Sequence, residues 1–167
     1  MSVVIRDCTD GDLAAALAIY DQLIETTTIA WTEHPLSLAD WTARVHAQWA
    51  RGFPVLVADA EGAVVGVASY GDFRDTAHWE GYRYAVEHSV HVRTDRRGAG
   101  IGRMLLDALV DRARAGGFHT MVGAIDADNE ASVRFHERMG FREVGRMPEI
   151  GFKFDRWLDL VLVQRIL

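Results

Sequence analysis

Cysteine, proline and basic residues are scarce in this 167-residue sequence, and the shortages of cysteine and of basic charge each exclude a class of protein. Cys8 is the only cysteine, so the chain can form neither an internal disulfide nor a cysteine-based zinc site. Lysine and arginine number 18 against 24 acidic residues, and the resulting net charge of -6 disfavours a nucleic-acid partner. With 49% hydrophobic and 25% charged residues, the composition is typical of one globular domain, which we expect to span residues 1–167.

Long hydrophobic runs are also missing. The longest uncharged stretch in the middle of the chain, residues 62–71, is far shorter than the ~20 apolar residues that cross a bilayer. Residues 1–7 lack the basic and apolar regions of a secretory signal. We therefore expect a cytoplasmic protein without a membrane partner.

Hydrophobic periodicity predicts alternating strands and helices. Apolar residues at helical spacing follow Asp10 and Ser37, and both of these side chains are able to cap a helix. The element order β-α-α-β-β-β-α-β-α-β predicts a mixed α/β (α+β) fold with helices packed on a central sheet. Predicted after the first strand and two helices are strands at 53–58, 63–70 and 82–92, a helix after 98–102, a strand at 120–126, a helix at 130–139 and a final strand at 157–166, with 141–144 as an optional further strand.

A glycine-rich turn links the predicted strand at 82–92 to the next helix. Glycine lets the backbone approach a ligand, and a helix N-terminus attracts anions, so this turn can hold a pyrophosphate. The segment lacks the Gly-Lys-Ser/Thr ending of a P-loop, and Arg103 stands where a dinucleotide fingerprint needs glycine. An ordinary strand-to-helix turn is the alternative.

The pattern Arg97-x-x-Gly100-x-Gly102 resembles the coenzyme A motif of the GNAT superfamily of N-acyltransferases, and residues 129–141 resemble its second signature. The resemblance implies a mixed, mostly antiparallel sheet of about six or seven strands flanked by about four helices. It also implies acetyl-CoA as co-substrate and no metal. The coenzyme-binding residues that it implies are Val90, His91, Val92, Arg97, Gly98, Ala99, Gly100, Ile101, Gly102, Asn129, Ser132 and His136.

His136 departs from the superfamily pattern, because many members have a tyrosine there as general acid for the departing thiolate. The acid is therefore unassigned between His136 and water. From physics alone, Asn129 is also an ordinary helix N-cap. The seven histidines do not predict a metal site, since His88 and His91 tend to face opposite sides of a strand.

Three longer stretches, residues 68–74, 81–92 and 153–159, resemble the phosphinothricin and methionine sulfoximine N-acetyltransferases. That resemblance implies a small amino acid substrate with an anionic or strongly dipolar side chain. It also implies a homodimer with pockets near the subunit contact. The apolar final strand, residues 158–163, is the surface that we expect to form this contact.

Five residues in the middle of the chain fit such a substrate. Arg74 and Arg83 are predicted to bind its anion, because a guanidinium pairs with a carboxylate or phosphinate through two hydrogen bonds. Phe73 and Tyr84 are predicted to wall the pocket. Glu87 lies inside an apolar strand, where a carboxylate needs a partner or a function, and we predict that it is the catalytic base. For Glu87 the alternatives are a structural ion pair or an outward-facing position on a half-solvated strand. For each arginine the alternative is a solvated rim position.

The predicted reaction is acetyl transfer from acetyl-CoA to the α-amine of a small amino acid analogue, by direct attack in a ternary complex. The alternatives are another amine, such as a polyamine or a protein N-terminus, and a non-catalytic acyl-CoA sensor.

Strand alternation puts Glu87, Ser89 and His91 on one face, unless the bulge that the resemblance implies near Ser89 changes the register. Trp31 is expected either to close the pocket or to lie in the core.

Overall fold

The structure, a computed structural model, describes residues 2–167. Within them, four α-helices and seven strands follow the predicted order, and the optional strand is present. The elements are β1 (Val3–Asp7), α1 (Leu13–Thr26), α2 (Leu38–Ala50), β2 (Val55–Ala60), β3 (Ala63–Asp72), β4 (Ala85–Val92), α3 (Ile101–Ala115), β5 (Thr120–Asp126), α4 (Glu130–Arg138), β6 (Arg142–Lys153) and β7 (Arg156–Ile166).

The strands form one sheet with the order β1-β2-β3-β4-β5-β7-β6, in which β4 and β5 pair in parallel. The β1–β2, β2–β3, β5–β7 and β6–β7 pairs are antiparallel, so the predicted fold class is confirmed.

Contacts divide the described residues into two compact units. The first comprises the chain up to Gln22 together with Leu36–Gly71 and His88–Arg112. The second comprises Leu23–Pro35, Asp72–Glu87 and Ala113–Leu167. No helix within residues 2–167 is both long and apolar enough to cross a membrane. One hydrophobic cluster in the core of the first unit is formed by Cys8, Leu13, Ala16, Ile19, Val45, Val55, Val57 and Val67.

Of the two N-caps predicted from the sequence, one is confirmed and one is wrong. Ser37 caps α2 as predicted, because its hydroxyl accepts the Asp40 N–H at 3.1 Å. The prediction that Asp10 caps α1 is wrong, since Asp10 itself lies in a short 3-10 turn that precedes the helix. The residue before that turn is Thr9, whose N–H and hydroxyl donate to the Asp12 carboxylate at 2.8 and 2.7 Å.

The optional strand at 141–144 is the start of a long β-hairpin. β6 continues for 12 residues to Lys153, with register irregularities between Glu143 and Gly145 and between Met147 and Gly151. These irregularities interrupt the alternation by which a strand is recognised. The predicted strand at 82–92 is shorter than expected and begins at Ala85, after a 3-10 turn.

Three apolar residues of the stretch 158–163, which is expected to form the dimer surface, are buried and are not available for a subunit contact. Leu158, Val161 and Val163 are at most 1% exposed because they pack inside their own chain. The apolar side chains of the β6–β7 hairpin that are exposed are different ones. They are Val144, Met147, Ile150, Phe152, Phe154, Trp157 and Ile166.

Candidate active site

Glu87 lies on β4 where that strand pairs with β5. The parallel register places Ala85, Val86 and Glu87 opposite Thr120, Met121 and Val122. Val86 and His88 are buried, and the Glu87 side chain between them is half-buried. Burial raises the pKa of the Glu87 carboxyl, and the charge of Arg74 partly opposes that shift. A carboxylate with a raised pKa is a stronger base than a surface glutamate.

The two predicted anion-binding arginines each lie over an aromatic ring. The Arg74 guanidinium is 5.0 Å from the centre of the Phe73 ring, and that of Arg83 is 4.7 Å from the centre of the Tyr84 ring. Arg83 also donates to the Glu80 carbonyl at 3.1 Å. Arg74, Arg83 and Tyr84 are exposed, whereas Phe73 is half-buried. Stacking on a ring limits the rotation of a guanidinium while its N–H groups remain able to bind an anion.

The glycine-rich turn lies in the first unit, directly before α3. Gly98 and Gly100 have positive φ angles of 79° and 80°, and a Cβ added to either would meet no protein atom within 4 Å. The Met104 N–H donates to the Gly100 carbonyl at 3.1 Å as the helix begins. Arg97 is exposed at the start of the turn, which continues through Ala99 and Gly102. An open space at a helix N-terminus beside an arginine fits a pyrophosphate.

His91 belongs to an aromatic cluster that the sequence did not reveal. Its ring meets the edge of Tyr20 at a centroid distance of 5.4 Å, and Tyr20 stacks on Trp41 at 5.7 Å. Burial and the charge of Arg97 lower the pKa of His91 to about 4, so the ring is neutral at pH 7. The helical spacing of Tyr20 in α1 and Trp41 in α2 indicates only that both residues face the core. The predicted coenzyme residues on β4 are all half-buried: Val90, His91 and Val92.

The start of α4 holds the other predicted coenzyme residues. The Asn129 side chain accepts the Ser132 N–H at 3.1 Å, which confirms its role as N-cap. The His136 Nδ1 lies 2.8 Å from the Ser132 carbonyl oxygen, so Nδ1 carries a proton. Burial lowers the pKa of this histidine, which favours the neutral ring, and in that tautomer Nε2 is an acceptor. This geometry does not suit donation of a proton from Nε2 to a thiolate.

The structure distributes the predicted residues between the two units. Glu87, the two arginines with their aromatic partners, and the α4 residues are in the second unit, whereas the glycine-rich turn is in the first. The predicted coenzyme residues of β4, Val90, His91 and Val92, are also in the first unit. Burial alternates as far as Ser89 and then becomes uniform. Trp31 is half-buried against Gly151. Within residues 2–167, no three His, Cys, Asp or Glu side chains are grouped as ligands for a metal ion.

The mixed sheet, the half-buried carboxylate on β4 and the glycine-rich start of the following helix fit an acyltransferase domain that uses a coenzyme. Residues 16–141 match the model of the acetyltransferase (GNAT) family. The chain belongs to that family and is an N-acetyltransferase.

Named relatives agree with this assignment. The chain is 51% identical over 165 residues to the L-methionine sulfoximine/L-methionine sulfone acetyltransferase of Pseudomonas paraeruginosa, covering 98% of this chain and 94% of that one. A crystal structure of a ribosomal-protein-alanine N-acetyltransferase from Brucella melitensis has 44% identity and a TM-score of 0.95, with 98% and 99% coverage. A phosphinothricin acetyltransferase from Sinorhizobium meliloti, solved in complex with acetyl-CoA, has 37% identity and a TM-score of 0.93, with 100% and 89% coverage.

Proposed function

We propose that this enzyme transfers an acetyl group from acetyl-CoA to the α-amine of a small amino acid whose side chain is anionic or strongly dipolar. Methionine sulfoximine, methionine sulfone and phosphinothricin are the proposed substrates. The observation that carries the proposal is the half-buried Glu87 with a raised pKa and with the charge of Arg74 acting on it. The names of the relatives from Pseudomonas and Sinorhizobium support the substrate class.

Glu87 is the proposed general base. An α-ammonium has an ordinary pKa of about 8 or higher, so most of the bound amine arrives protonated at neutral pH. The Glu87 carboxylate attracts this ammonium and then takes its proton, directly or through one water, which makes the nitrogen nucleophilic. The nitrogen attacks in a ternary complex, because Cys8 is buried with its pKa raised to about 11 and is unsuited to carry an acetyl group.

Four neighbouring side chains bind the acceptor in this proposal. Arg74 and Arg83 bind the anionic or dipolar end of the substrate, while Phe73 and Tyr84 wall the pocket. Arg74 has a second effect, because its charge acts on Glu87. A polyamine substrate would instead require carboxylates at the positions of these arginines.

The coenzyme is held by backbone and by short side chains. When bound, acetyl-CoA supplies the acetyl group and a thiolate leaving group. The turn Arg97, Gly98, Ala99, Gly100, Ile101 and Gly102 would hold the pyrophosphate, and backbone N–H groups around Val90, His91 and Val92 would donate to the thioester carbonyl. Asn129, Ser132 and His136 would hold the pantetheine arm. Because His136 is neutral with its proton on Nδ1, we assign protonation of the thiolate to water.

We further propose that residues 1–167 act as one catalytic domain in the cytoplasm, as a homodimer that needs no metal. A single buried cysteine suits a reducing compartment. The exposed apolar side chains of the β6–β7 hairpin, among them Phe152 and Trp157, are the proposed subunit contact.

A second candidate substrate is a protein N-terminus, which the name of the Brucella neighbour favours. The two candidates differ in the group next to the amine. A free amino acid has an α-carboxylate, whereas a protein N-terminus has a peptide bond and a chain that must leave the pocket.

The test is a thiol-release assay with acetyl-CoA and a panel of amines. The panel holds methionine sulfoximine, methionine sulfone, phosphinothricin, methionine, spermidine and a hexapeptide that begins with alanine. We expect kcat/KM for the three analogues to exceed that for the hexapeptide and spermidine by at least ~100-fold, which corresponds to about 2.7 kcal/mol. A preference for the hexapeptide would transfer the assignment to protein N-termini, and coenzyme binding without turnover of any amine would indicate a sensor.

A further inference from the structure

Lys153, at the end of β6, is a buried lysine with 0% exposure. Its ammonium donates to the carbonyl oxygens of Ile24, Thr27 and Ala30 at 2.6, 2.8 and 2.7 Å. An ammonium has three protons and no acceptor, so three converging carbonyls satisfy it completely. A neutral amine has only two protons and would leave one of these carbonyls without a donor.

The three carbonyls belong to the end of α1 and to the residues that follow it. The last four carbonyls of a helix have no partner within the helix, and a cation is favourable there because of the helix dipole. Lys153 therefore binds the C-terminal end of α1 and holds the start of the next segment. We call residues 27–33 the anchored loop.

Two backbone features of the β6–β7 hairpin hold the same loop. At Gly151 an added Cβ would lie 2.4 Å from the Trp31 ring, so only glycine allows this ring to pack on β6. The Phe154 N–H donates to the Glu33 carboxylate at 3.0 Å, and Phe154 adopts a left-handed φ of 52°. The loop is thus attached to the hairpin on both sides of Lys153.

The anchored loop is also attached to the start of α4. The Thr28 hydroxyl donates to the Asp126 carboxylate at the end of β5. The Asp126 carbonyl accepts the Asn129 N–H at 2.9 Å, and Asn129 caps α4. Asp126 lies four residues beyond Val122, the partner of Glu87, which is ~13 Å along a strand. The loop is therefore attached to the far end of the strand that pairs with the proposed base.

We propose that Lys153 is a positioning residue that fixes the anchored loop, and Trp31 with it, as one wall of the site for the acceptor amino acid. The proposal rests on the proposed function. A loop held by three buried hydrogen bonds and by ring packing is ordered before the substrate arrives, so binding costs less conformational entropy. Release of this loop weakens binding of the amino acid and leaves binding of the coenzyme unchanged.

The test compares Lys153→Met with a matched control. Arg165→Met also removes a cation from a carbonyl at a helix end, since Arg165 donates to the Met139 carbonyl at 2.6 Å in the same unit. For Lys153→Met we expect a rise of at least ~10-fold in KM for methionine sulfoximine, KM for acetyl-CoA within twofold, and faster hydrogen exchange of the amides of residues 27–33. Arg165→Met is expected to show neither the rise in KM for the amino acid nor the change in exchange.

A second variant moves Trp31 without removing a charge. Gly151→Ala introduces the clashing Cβ, and we expect the same selective rise in KM for the amino acid. Wild-type KM for the amino acid in Gly151→Ala, or unchanged exchange of residues 27–33 in Lys153→Met, would overturn the proposal. If the wild-type enzyme acetylates no amino acid, the proposed function fails, and the exchange comparison still decides whether Lys153 orders the loop.

Discussion

In the proposed mechanism the chemistry depends on Glu87, and the surroundings of this residue disfavour its charged form. Burial raises its pKa in the folded protein, so the folded state holds a proton at pH values where the unfolded chain has lost it. Between the unfolded and folded pKa values the folded state binds more protons, and the free energy of unfolding falls as the pH rises. This behaviour is typical of a functional carboxylate and opposite to that of a stabilising ion pair.

The first prediction concerns the variant Glu87→Gln. Glutamine keeps the volume but cannot take a proton, so kcat should fall by ~10² to 10⁴-fold while the affinity for acetyl-CoA changes little. Raising the pH should restore part of the activity, because free amine then no longer needs a base. Steady-state kinetics from pH 6 to 10, with calorimetry for the coenzyme, measure this.

Thermal unfolding supplies the control for this variant. Glutamine does not ionise and avoids the cost of a buried charge, so the Tm of Glu87→Gln at pH 7 should equal or exceed that of the wild type. A clear loss of Tm with a proportional loss of activity and no rescue at high pH would identify a structural ion pair instead.

The second prediction separates the two arginines by pH. Arg74 lowers the pKa of Glu87, so Arg74→Ala should raise that pKa and move the acidic limb of kcat/KM to higher pH. Arg83→Ala should leave the limb in place, since Arg83 contacts Glu80 and Tyr84. Identical profiles for the two variants would show that Arg74 does not act on the base.

The same two variants also test recognition of the substrate. Each should raise KM for phosphinothricin much more than KM for a neutral amino acid amide, because a guanidinium gains most from a paired anion. Equal effects on both substrates would make the arginines structural.

At the scale of elements, the third prediction concerns the glycine-rich turn. Gly100→Val places a branched side chain in the open space before α3 and should abolish binding of acetyl-CoA. Backbone strain is controlled with Gly52→Val, since Gly52 has a similar φ of 78° and equally open surroundings at the end of α2. The two variants should lose similar stability, and only Gly100→Val should lose coenzyme in calorimetry. Equal affinity for acetyl-CoA in both variants would show that the coenzyme does not bind at the glycine-rich turn.

Elements with regular periodicity were predicted closely from sequence, and irregular ones were not. The cap of α2 by Ser37 follows from local chemistry. β6 was recognised only at its start, because Pro148 and the register shifts remove the alternation that defines a strand. The turn after β6 has left-handed φ angles at Phe154 and Asp155, positions where glycine or asparagine is the usual signal.

The candidate site was predictable where motifs are contiguous. The glycine-rich turn and Asn129 lie where their motifs predict, before α3 and at the cap of α4. Lys153 was visible only as part of a resembling stretch, because the carbonyls that it binds are more than 120 residues away in sequence. Contacts of that range depend on the tertiary fold and leave no local pattern.

For the whole molecule, the fourth prediction concerns assembly. Phe152 and Trp157 form an exposed edge-to-face pair on the β6–β7 hairpin, with ring centres 5.1 Å apart. Exposure of these apolar rings to water is unfavourable, which is typical of an interaction surface. Light scattering should report a dimer for the wild type at micromolar concentration and a monomer for Trp157→Glu. The matched control, Leu38→Glu, changes an exposed leucine at the start of α2 and should remain a dimer. A wild-type protein that is monomeric at this concentration would contradict the proposed subunit contact.

The central claim is acetyl transfer to the α-amine, and one measurement tests it directly. Methionine sulfoximine carries two nitrogens, and fragmentation of the product by mass spectrometry shows which one is acetylated. Together with thiol release from acetyl-CoA, the wild-type enzyme should give one acetyl group on the α-nitrogen for each coenzyme A formed. An acetyl group on the sulfoximine nitrogen, or coenzyme A released without an acetylated product, would contradict the account.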